Sequence, residues 1–201
     1  MENKKHIFVT GITGNQGSAV AKHLLDNGHE VVGLTRDANS EKAQQLKSQG
    51  VNIVEGNLDN SSSFQSEMKK SDAIFFVQSL QGKNSEIQQG KQFIDTITSL
   101  GINHLVYASV LGADLKTGIP HFDSKYEIEK QIKSSNINYT ILRPASFYEN
   151  YLIPQVAKGI KKGKFVSPLN KTCKQQMIGV DDIGKIAVQV ISNPKEYSGK
   201  T

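Results

Sequence analysis

Near its start the chain reads Val9-Thr10-Gly11-Ile12-Thr13-Gly14-Asn15-Gln16-Gly17-Ser18. Three glycines stand three residues apart here, between a strand-like run and a segment whose apolar residues repeat with helical period. In such a turn Gly11 permits the tight bend, Gly14 lets the backbone approach a pyrophosphate, and Gly17 lets the helix pack closely. The start of the helix presents free amides to phosphates. The context predicts a dinucleotide-binding turn; the alternative is a turn with a structural role alone.

Outward from this turn, runs rich in branched and aromatic residues alternate with segments of helical length. The predicted strands are His6–Thr10, Glu30–Thr35, Asn52–Glu55, Asp72–Val77, His104–Ser109 and Asn138–Leu142. Such alternation predicts a parallel sheet covered by helices on both faces, and continuous apolar strands fit burial on both sides. We therefore predict a single, doubly wound α/β domain of Rossmann-like type, with its core over about residues 1–145.

The remaining segment, about residues 146–201, is predicted to shape the substrate side. We expect a helix from Glu149 to Lys161, an irregular lysine-rich stretch, and a second helix from about Val180 to Ser192. The final residues Ser198-Gly199-Lys200-Thr201 have the character of a strand that is about to begin. We therefore expect the chain to be truncated relative to the natural fold.

Composition excludes several classes of protein. Hydrophobic residues make up 37% and charged residues 21% of the 201 residues, which is typical of a globular domain. The single cysteine, Cys173, excludes an internal disulfide and a multi-cysteine metal site, and we expect no metal. The longest apolar run, Ala73–Val77, is far shorter than the roughly 20 residues of a membrane span, and no signal region precedes the first strand. We expect a soluble, cytoplasmic protein.

The net charge of +5 is concentrated in one region. Six lysines and no acidic residue lie between residues 151 and 180: Lys158, Lys161, Lys162, Lys164, Lys171 and Lys174. Such a stretch can meet nucleic acid or an anionic ligand. No arginine accompanies the lysines, so we expect a solvated surface rather than a nucleic-acid interface.

The end of the second strand bears on the type of nucleotide. A ribose 2′-hydroxyl would be met there by an acid and a 2′-phosphate by a base. Arg36 is the first residue beyond this strand, and a guanidinium can hold a phosphate with two hydrogen bonds. We therefore predict NADP(H) in preference to NAD(H). The neighbouring Asp37 leaves two alternatives, a local cap or a contact to NAD.

A turn after the third strand, Gly56-Asn57-Leu58-Asp59, carries a second acidic residue. The Asp59 carboxylate is suited to accept a hydrogen bond from an adenine amino group. The alternative is an Asx turn that caps the serine-rich helix start at Asn60–Ser63.

These motifs resemble the atypical short-chain dehydrogenase/reductase superfamily. The resemblance is carried by Thr10–Gly17, Leu34–Asp37 and Gly56–Asp59, and His121–Lys125 with Leu142–Asn150 narrows it to the NmrA-like branch. It covers essentially the whole chain. Members of this branch include NADP-sensing transcriptional regulators without turnover and NADPH-dependent quinone or carbonyl reductases.

The resemblance also implies roles for individual residues around the cofactor. Gly11, Thr13, Gly14, Asn15, Gln16 and Gly17 match the phosphate loop, Arg36 the 2′-phosphate contact, and Asp59 the adenine neighbour. Val77, Gln78 and Ser79 match the stretch beneath the adenine-side ribose, Lys125 the lysine that holds the nicotinamide ribose, and Phe147 and Asn150 the segment that flanks the nicotinamide.

The chain departs from the family pattern at the proton donor. Reductases of this superfamily combine a serine at the end of the fifth strand with a tyrosine four residues before a lysine. Ser109 matches the serine, but both His121–Lys125 and Tyr126–Lys130 have the tyrosine–lysine spacing. Tyr126 lies 17 residues after Ser109 and His121 only 12, which is the expected separation. We therefore predict that His121 occupies the place of the tyrosine.

This substitution leaves two functions open. Histidine can act as a general acid at neutral pH, so the protein could be an NADPH-dependent oxidoreductase of a quinone or reactive carbonyl. His121 could instead be a residue at an exposed helix start, and the protein a catalytically silent NADP(H) sensor that acts through a protein partner. The hydroxyl of Ser109 could donate to a substrate carbonyl or end its strand for reasons of packing.

Overall fold

The computed structural model describes residues 4–167, 169–170 and 172–201. Lys171, one of the six predicted surface lysines, lies outside the described residues. Six parallel strands form the main sheet in the order β3-β2-β1-β4-β5-β6. They are β1 His6–Val9, β2 Glu30–Thr35, β3 Asn52–Glu55, β4 Ala73–Phe76, β5 Leu105–Ala108 and β6 Tyr139–Leu142. The predicted doubly wound sheet is confirmed.

Helices connect the strands and cover both faces of the sheet. They are α1 Asn15–Asp26, α2 Glu41–Ser48, α3 Gln65–Lys69, α4 Lys83–Ser99, α5 Pro120–Ser134, α6 Pro154–Lys161, α7 Val180–Ser192 and α8 Pro194–Tyr197. One apolar core packs α1 and α7 against the sheet, and a second packs α4 and α5 against the opposite face. In the second core the rings of Phe76 and Phe93 stack with centroids 4.3 Å apart.

The segment after β6 divides into two parts. A short parallel pair, β7 Ser146–Phe147 and β8 Met177–Ile178, stands apart from the main sheet. In contrast, α7 buries Ala187 and Ile191 in the first core, so this helix covers the sheet. Near the end of the chain, Lys200 forms a parallel bridge to Thr140 of β6, where the sequence pattern predicted the start of a strand.

The prediction of one helix from Glu149 to Lys161 is wrong. The chain forms a 3₁₀ helix over Tyr148–Leu152 and then begins α6 at Pro154. Proline lacks the amide hydrogen that a continuing helix needs, and it disfavours helical geometry in the residue before it. Ile153 is accordingly outside the helical region, with ψ at 127°.

The sheet order reverses between β1 and β4, because the chain builds β2 and β3 on one side and returns to build β4 on the other. Ligands of such sheets bind in the crevice at the carboxyl ends of the strands beside this reversal. Thr10 links the segments that follow β1 and β4, on the two sides of the reversal. Its hydroxyl donates to the Val77 carbonyl at 2.7 Å and accepts from the Val77 amide at 2.8 Å.

Two classes of feature are absent from the described part of the chain. No helix among residues 4–167, 169–170 and 172–201 combines the length and the apolar character needed to cross a membrane. In the same residues, no three His, Cys, Asp or Glu side chains converge as metal ligands would.

Candidate functional site

A cleft of about 540 Å³ opens at the carboxyl ends of β1, β2 and β4. Most of the predicted cofactor-binding residues line it: Gly11, Thr13, Gly14, Asn15, Gln16, Gly17, Arg36, Val77, Gln78, Ser79 and Phe147. The structure thus brings together segments from four distant parts of the sequence. The other predicted residues, Asp59, Ser109, His121, Lys125 and Asn150, are not among the residues that line the cleft.

The glycine loop has a tight, specific shape. Gly11 adopts a φ of +57°, a left-handed conformation that favours glycine, and its carbonyl accepts the Gly14 amide at 2.9 Å. A Cβ on Gly17 would stand 2.3 Å from the Gly11 carbonyl oxygen, so the close contact of α1 with the loop requires glycine there. Gly14, by contrast, has φ −83° and ψ 169°, which any residue adopts, and a Cβ would meet its nearest atom at 3.2 Å.

The start of α1 faces this loop. Gly14 caps the helix without a side-chain hydrogen bond, and no acidic residue occupies the first turn. The first amides of a helix have no intrahelical acceptor, and the helix dipole adds partial positive charge there. The loop and the helix start can therefore bind an anionic group such as a pyrophosphate.

Arg36 and Asp37 both line the cleft beyond β2, but they differ in their contacts. Asp37 Oδ1 accepts the backbone amide of Asn39 at 2.9 Å, so the carboxylate caps its own loop. Arg36 makes no hydrogen bond or ion pair within the part of the chain that the structure describes. Among the described residues that line the cleft, Arg36 therefore carries a cation with no partner.

Asp59 is exposed and is not a lining residue of the cleft, although Asn57 and Leu58 of the same turn line it. The turn is an Asx turn in which Asn57 Oδ1 accepts the Asp59 amide at 3.2 Å. The Asp59 carboxylate accepts Gln89 Nε2 at 2.7 Å, and Gln89 Oε1 in turn accepts Gln78 Nε2 at 3.2 Å. Gln89 lines the cleft and was missed in the sequence, because α4 brings it there from outside every recognised motif.

Lys125 is buried and is not a lining residue of the cleft. Its side chain is 8% exposed, and its ammonium lies 3.8 Å from Glu86 Oε1. Burial lowers the pKa of Lys125, while the negative charge of Glu86 opposes that shift.

The two competing lysines on α5 point in different directions. Lys130 is exposed, pairs with Glu127 at 2.6 Å and lies 5.5 Å above the ring of Tyr126. Lys125, in contrast, faces the interior between α4 and β5. His121 is exposed in the first turn of α5, and its ring meets the edge of Phe122 with centroids 4.6 Å apart.

Ser109 belongs to a buried ionic network. Its hydroxyl donates to Glu129 Oε1, and Glu129 is fully buried. Arg143 donates to both oxygens of Glu129, at 2.9 and 2.6 Å, and to Asp114 at 2.7 Å. These bonds to Arg143 lower the pKa of Asp114, and the bonds to Glu129 raise that of Arg143. The network joins the segments that follow β5 and β6. Of its members, only Ser109 was predicted from the sequence to be a functional residue.

The far end of the cleft is formed by Phe147 of β7. Asn150 follows in the 3₁₀ helix, is exposed, and donates to Ser146 Oγ at 3.4 Å. Phe147 therefore contributes to the wall, and Asn150 lies beside it.

Several features of the cleft fit a dinucleotide. Two buried side-chain oxygens of lining residues, Gln16 Oε1 and Gln78 Oε1, have no hydrogen-bond partner in the described structure, and neither has Lys125 Nζ outside the lining. Buried polar atoms are costly without partners, so these positions favour a polar ligand or water. Gly14 has no side chain to obstruct the loop backbone, and Arg36 supplies an uncommitted positive charge. Phosphate, sugar and amide groups match this set of donors and acceptors.

Residues 3–201 match the NmrA-like family. An NmrA-like family domain-containing oxidoreductase, himF, from Aspergillus japonicus is 34% identical, over 96% of this chain and 65% of its own. The structure of the NADPH-dependent quinone oxidoreductase QOR2 from Escherichia coli, complexed with NADPH, superposes with a TM-score of 0.82 at 26% identity, over 96% of this chain and 67% of that one. The negative transcriptional regulator NmrA in complex with NADP has the same fold, with a TM-score of 0.81 at 19% identity, over 98% of this chain and 65% of that one.

These coverages show that the chain spans about two thirds of the length of its relatives. NmrA itself has been solved with NAD as well as with NADP.

Proposed function

The chain belongs to the NmrA-like family, and from that premise we propose that it is an NADPH-dependent oxidoreductase acting on a quinone or reactive carbonyl. The observation that carries the cofactor assignment is the uncommitted Arg36 guanidinium, which lines the same cleft as the glycine loop. The resemblance to QOR2, an NADPH-dependent quinone oxidoreductase, supports the reaction class.

In the proposed arrangement each end of the dinucleotide has its own residues. The amides of the glycine loop and of α1 bind the pyrophosphate, and Arg36 binds the 2′-phosphate. Lys125 holds the nicotinamide ribose, and Phe147 packs beside the nicotinamide. When bound, the reduced nicotinamide supplies a hydride. His121 would donate a proton to the substrate oxygen, which neutralises the negative charge left there when the hydride adds to the carbonyl carbon.

A second candidate function, that of an NADP(H) sensor without turnover, is favoured by two observations. The register that buries Lys125 has no tyrosine four residues earlier, and the Ser109 hydroxyl is committed to Glu129. Both features fit a protein that binds NADP(H) without turning it over. NmrA, a transcriptional regulator, shares the fold. In this alternative, cofactor occupancy would alter a surface that binds a protein partner.

We expect Arg36→Ala to remove most of the preference for NADPH over NADH. Loss of a bidentate contact to a phosphate costs about 1.5–3 kcal/mol, which is about ten- to a hundredfold in affinity. Titration of both nucleotides by fluorescence or calorimetry measures the two dissociation constants. Lys42→Ala, at an exposed site on α2, is the matched control and should leave the ratio unchanged. Equal affinity of the unaltered protein for both nucleotides would contradict the proposed preference.

We expect His121→Phe to lower turnover by about a hundredfold, the usual scale for loss of a general acid, with NADPH affinity nearly unchanged. Tyr126→Phe should keep turnover, because the lysine four residues later, Lys130, lies above its ring and is exposed. The measurement is NADPH consumption with a panel of quinones and aldehydes, with binding followed in parallel. Loss of activity in Tyr126→Phe alone would restore the ordinary tyrosine–lysine mechanism. Tight NADPH binding without turnover of any substrate would favour the regulator.

A further inference from the structure

The helices α4 and α5 approach each other closely near the inner end of the cleft. A Cβ added to Gly90 of α4 would stand 2.6 Å from the side chain of Ile128 on α5, so glycine at this position permits the contact. Glu86 and Ser124 lie one turn before Gly90 and Ile128, each on its own helix. The close approach therefore carries the Glu86 carboxylate against the second turn of α5.

Glu86 is an unusual residue for such a position, because its side chain is only 1% exposed. Its Oε2 accepts the Ser124 hydroxyl at 2.7 Å, and Gln78 Nε2 donates to its backbone carbonyl at 3.0 Å. Its Oε1 points toward Lys125 at 3.8 Å, beyond hydrogen-bond length. Ser124 thus fixes one carboxylate oxygen and leaves the other for the ammonium.

Among the described residues, Lys125 forms an ion pair with Glu86 alone. Its ammonium has no hydrogen-bond partner among the described residues and lies 5.7 Å from the ring centroid of Tyr107 on β5. Glu129, one turn further along α5, is bound by Arg143, and Asp123 pairs with Lys83 at 2.8 Å. An ammonium in this interior would be strongly disfavoured without the charge of Glu86.

We propose that Glu86 is a positioning residue: its buried carboxylate holds the Lys125 ammonium, charged and oriented, for the nicotinamide ribose. The inference rests on the proposed binding of NADP(H) and assigns a role to a residue that no cofactor motif contains. The ammonium keeps three donors for the ligand, because the 3.8 Å ion pair uses none of them in a hydrogen bond.

The experiment compares NADPH with adenosine 2′,5′-bisphosphate, which has the adenine end and lacks the nicotinamide ribose. We expect Glu86→Gln to weaken the affinity for NADPH about tenfold, the scale of the charge-assisted hydrogen bond from Lys125 to the ribose. The affinity for the fragment should stay within about twofold of its original value. Glutamine can still accept from Ser124, so the packing is retained. Glu127→Gln, at the more exposed pair with Lys130, is the matched control and should change neither affinity.

A pH profile gives a readout that packing alone would not move. Removal of the Glu86 charge leaves burial to lower the pKa of Lys125 without opposition. The affinity for NADPH, divided by that for the fragment, should decrease when Lys125 loses its proton as pH rises from about 6 to about 10. The pH at which this decrease occurs should be lower in Glu86→Gln than in the unaltered protein. Tyr107 faces the same ammonium, but its buried phenol has a raised pKa and stays neutral over this range.

A double-mutant cycle completes the test. In a Lys125→Met background, Glu86→Gln should have no further effect on NADPH affinity. The inference is overturned if Glu86→Gln leaves NADPH affinity unchanged, if it weakens both ligands equally, or if its effect persists without Lys125. If Glu86→Gln does not fold, Ser124→Ala should give a smaller loss confined to NADPH, and no such loss would overturn the inference. An unaltered protein that binds neither ligand would instead refute the proposed function itself.

Discussion

Gly14→Val is expected to abolish measurable binding of NADPH while the protein stays folded, with an affinity loss of at least about a hundredfold, or about 2.7 kcal/mol. The valine side chain would fill the space through which the loop backbone approaches a pyrophosphate. The fold should tolerate it, because Gly14 has an ordinary extended conformation and a shift of a few tenths of an ångström would relieve the 3.2 Å contact of the new Cβ with the Gly11 carbonyl oxygen. Titration with NADPH, alongside circular dichroism and thermal unfolding, measures both outcomes.

Two other glycines provide matched comparisons. Gly179 caps α7 with a similar backbone, φ −79° and ψ 142°, and is not a lining residue of the cleft, so Gly179→Val should keep NADPH binding. Gly17→Val should destabilise the protein, since its Cβ would overlap the backbone of Gly11 and Ile12. Normal NADPH affinity in a folded Gly14→Val protein would show that the glycine loop has a structural role alone.

Arg143→Met is expected to lower the free energy of unfolding by about 3–5 kcal/mol, the scale for removing one partner of a buried ion pair. Glu129 is fully buried and would lose both guanidinium hydrogen bonds. It would keep the hydroxyl of Ser109 and a distant Lys133 at 3.9 Å, which replace little of the lost charge. Denaturant unfolding of the purified protein gives the difference.

The exposed pair on the same helix is the control. Lys130→Met breaks the contact with Glu127 and should cost less than about 1 kcal/mol, as is usual for surface ion pairs. Combining Arg143→Met with Glu129→Leu should recover at least half of the lost stability, because no buried charge then lacks a partner. If Arg143→Met and Lys130→Met lowered the free energy of unfolding by similar amounts, the buried network would not stabilise the fold as proposed.

The sheet could be predicted from local sequence patterns, because each strand is a short run of branched and aromatic residues. Glu30–Thr35 and Asn52–Glu55 were predicted to the residue, and the glycine loop was placed correctly between β1 and α1. The helix after Phe147 was mispredicted where Pro154 interrupts a pattern that otherwise continues. Here the effect of proline on the helix was stronger than the helical repeat of apolar residues on which the prediction relied.

The inner contacts of the site could not be predicted in the same way. Glu86 meets Lys125, and Glu129 meets Arg143, only after separate helices and strands have packed together. The His121–Lys125 motif identified Lys125, but the residues around Glu86 and Glu129 in the sequence do not indicate which side chains these two carboxylates meet. Arg36, by contrast, follows directly from the end of β2, and the structure places it in the cleft as a lining residue.

The reversal of strand order beside β1 has a consequence for how the molecule folds. The two bonds between Thr10 and Val77 close 67 residues of chain, whereas β1 and β2 pair across one short helix. Contacts between residues so distant along the chain form slowly, because loop-closure entropy must be overcome before they stabilise anything. The cleft therefore comes into existence only when the two halves of the sheet dock. A dinucleotide that contacts both halves would bind the docked state alone and shift the folding equilibrium toward it by mass action.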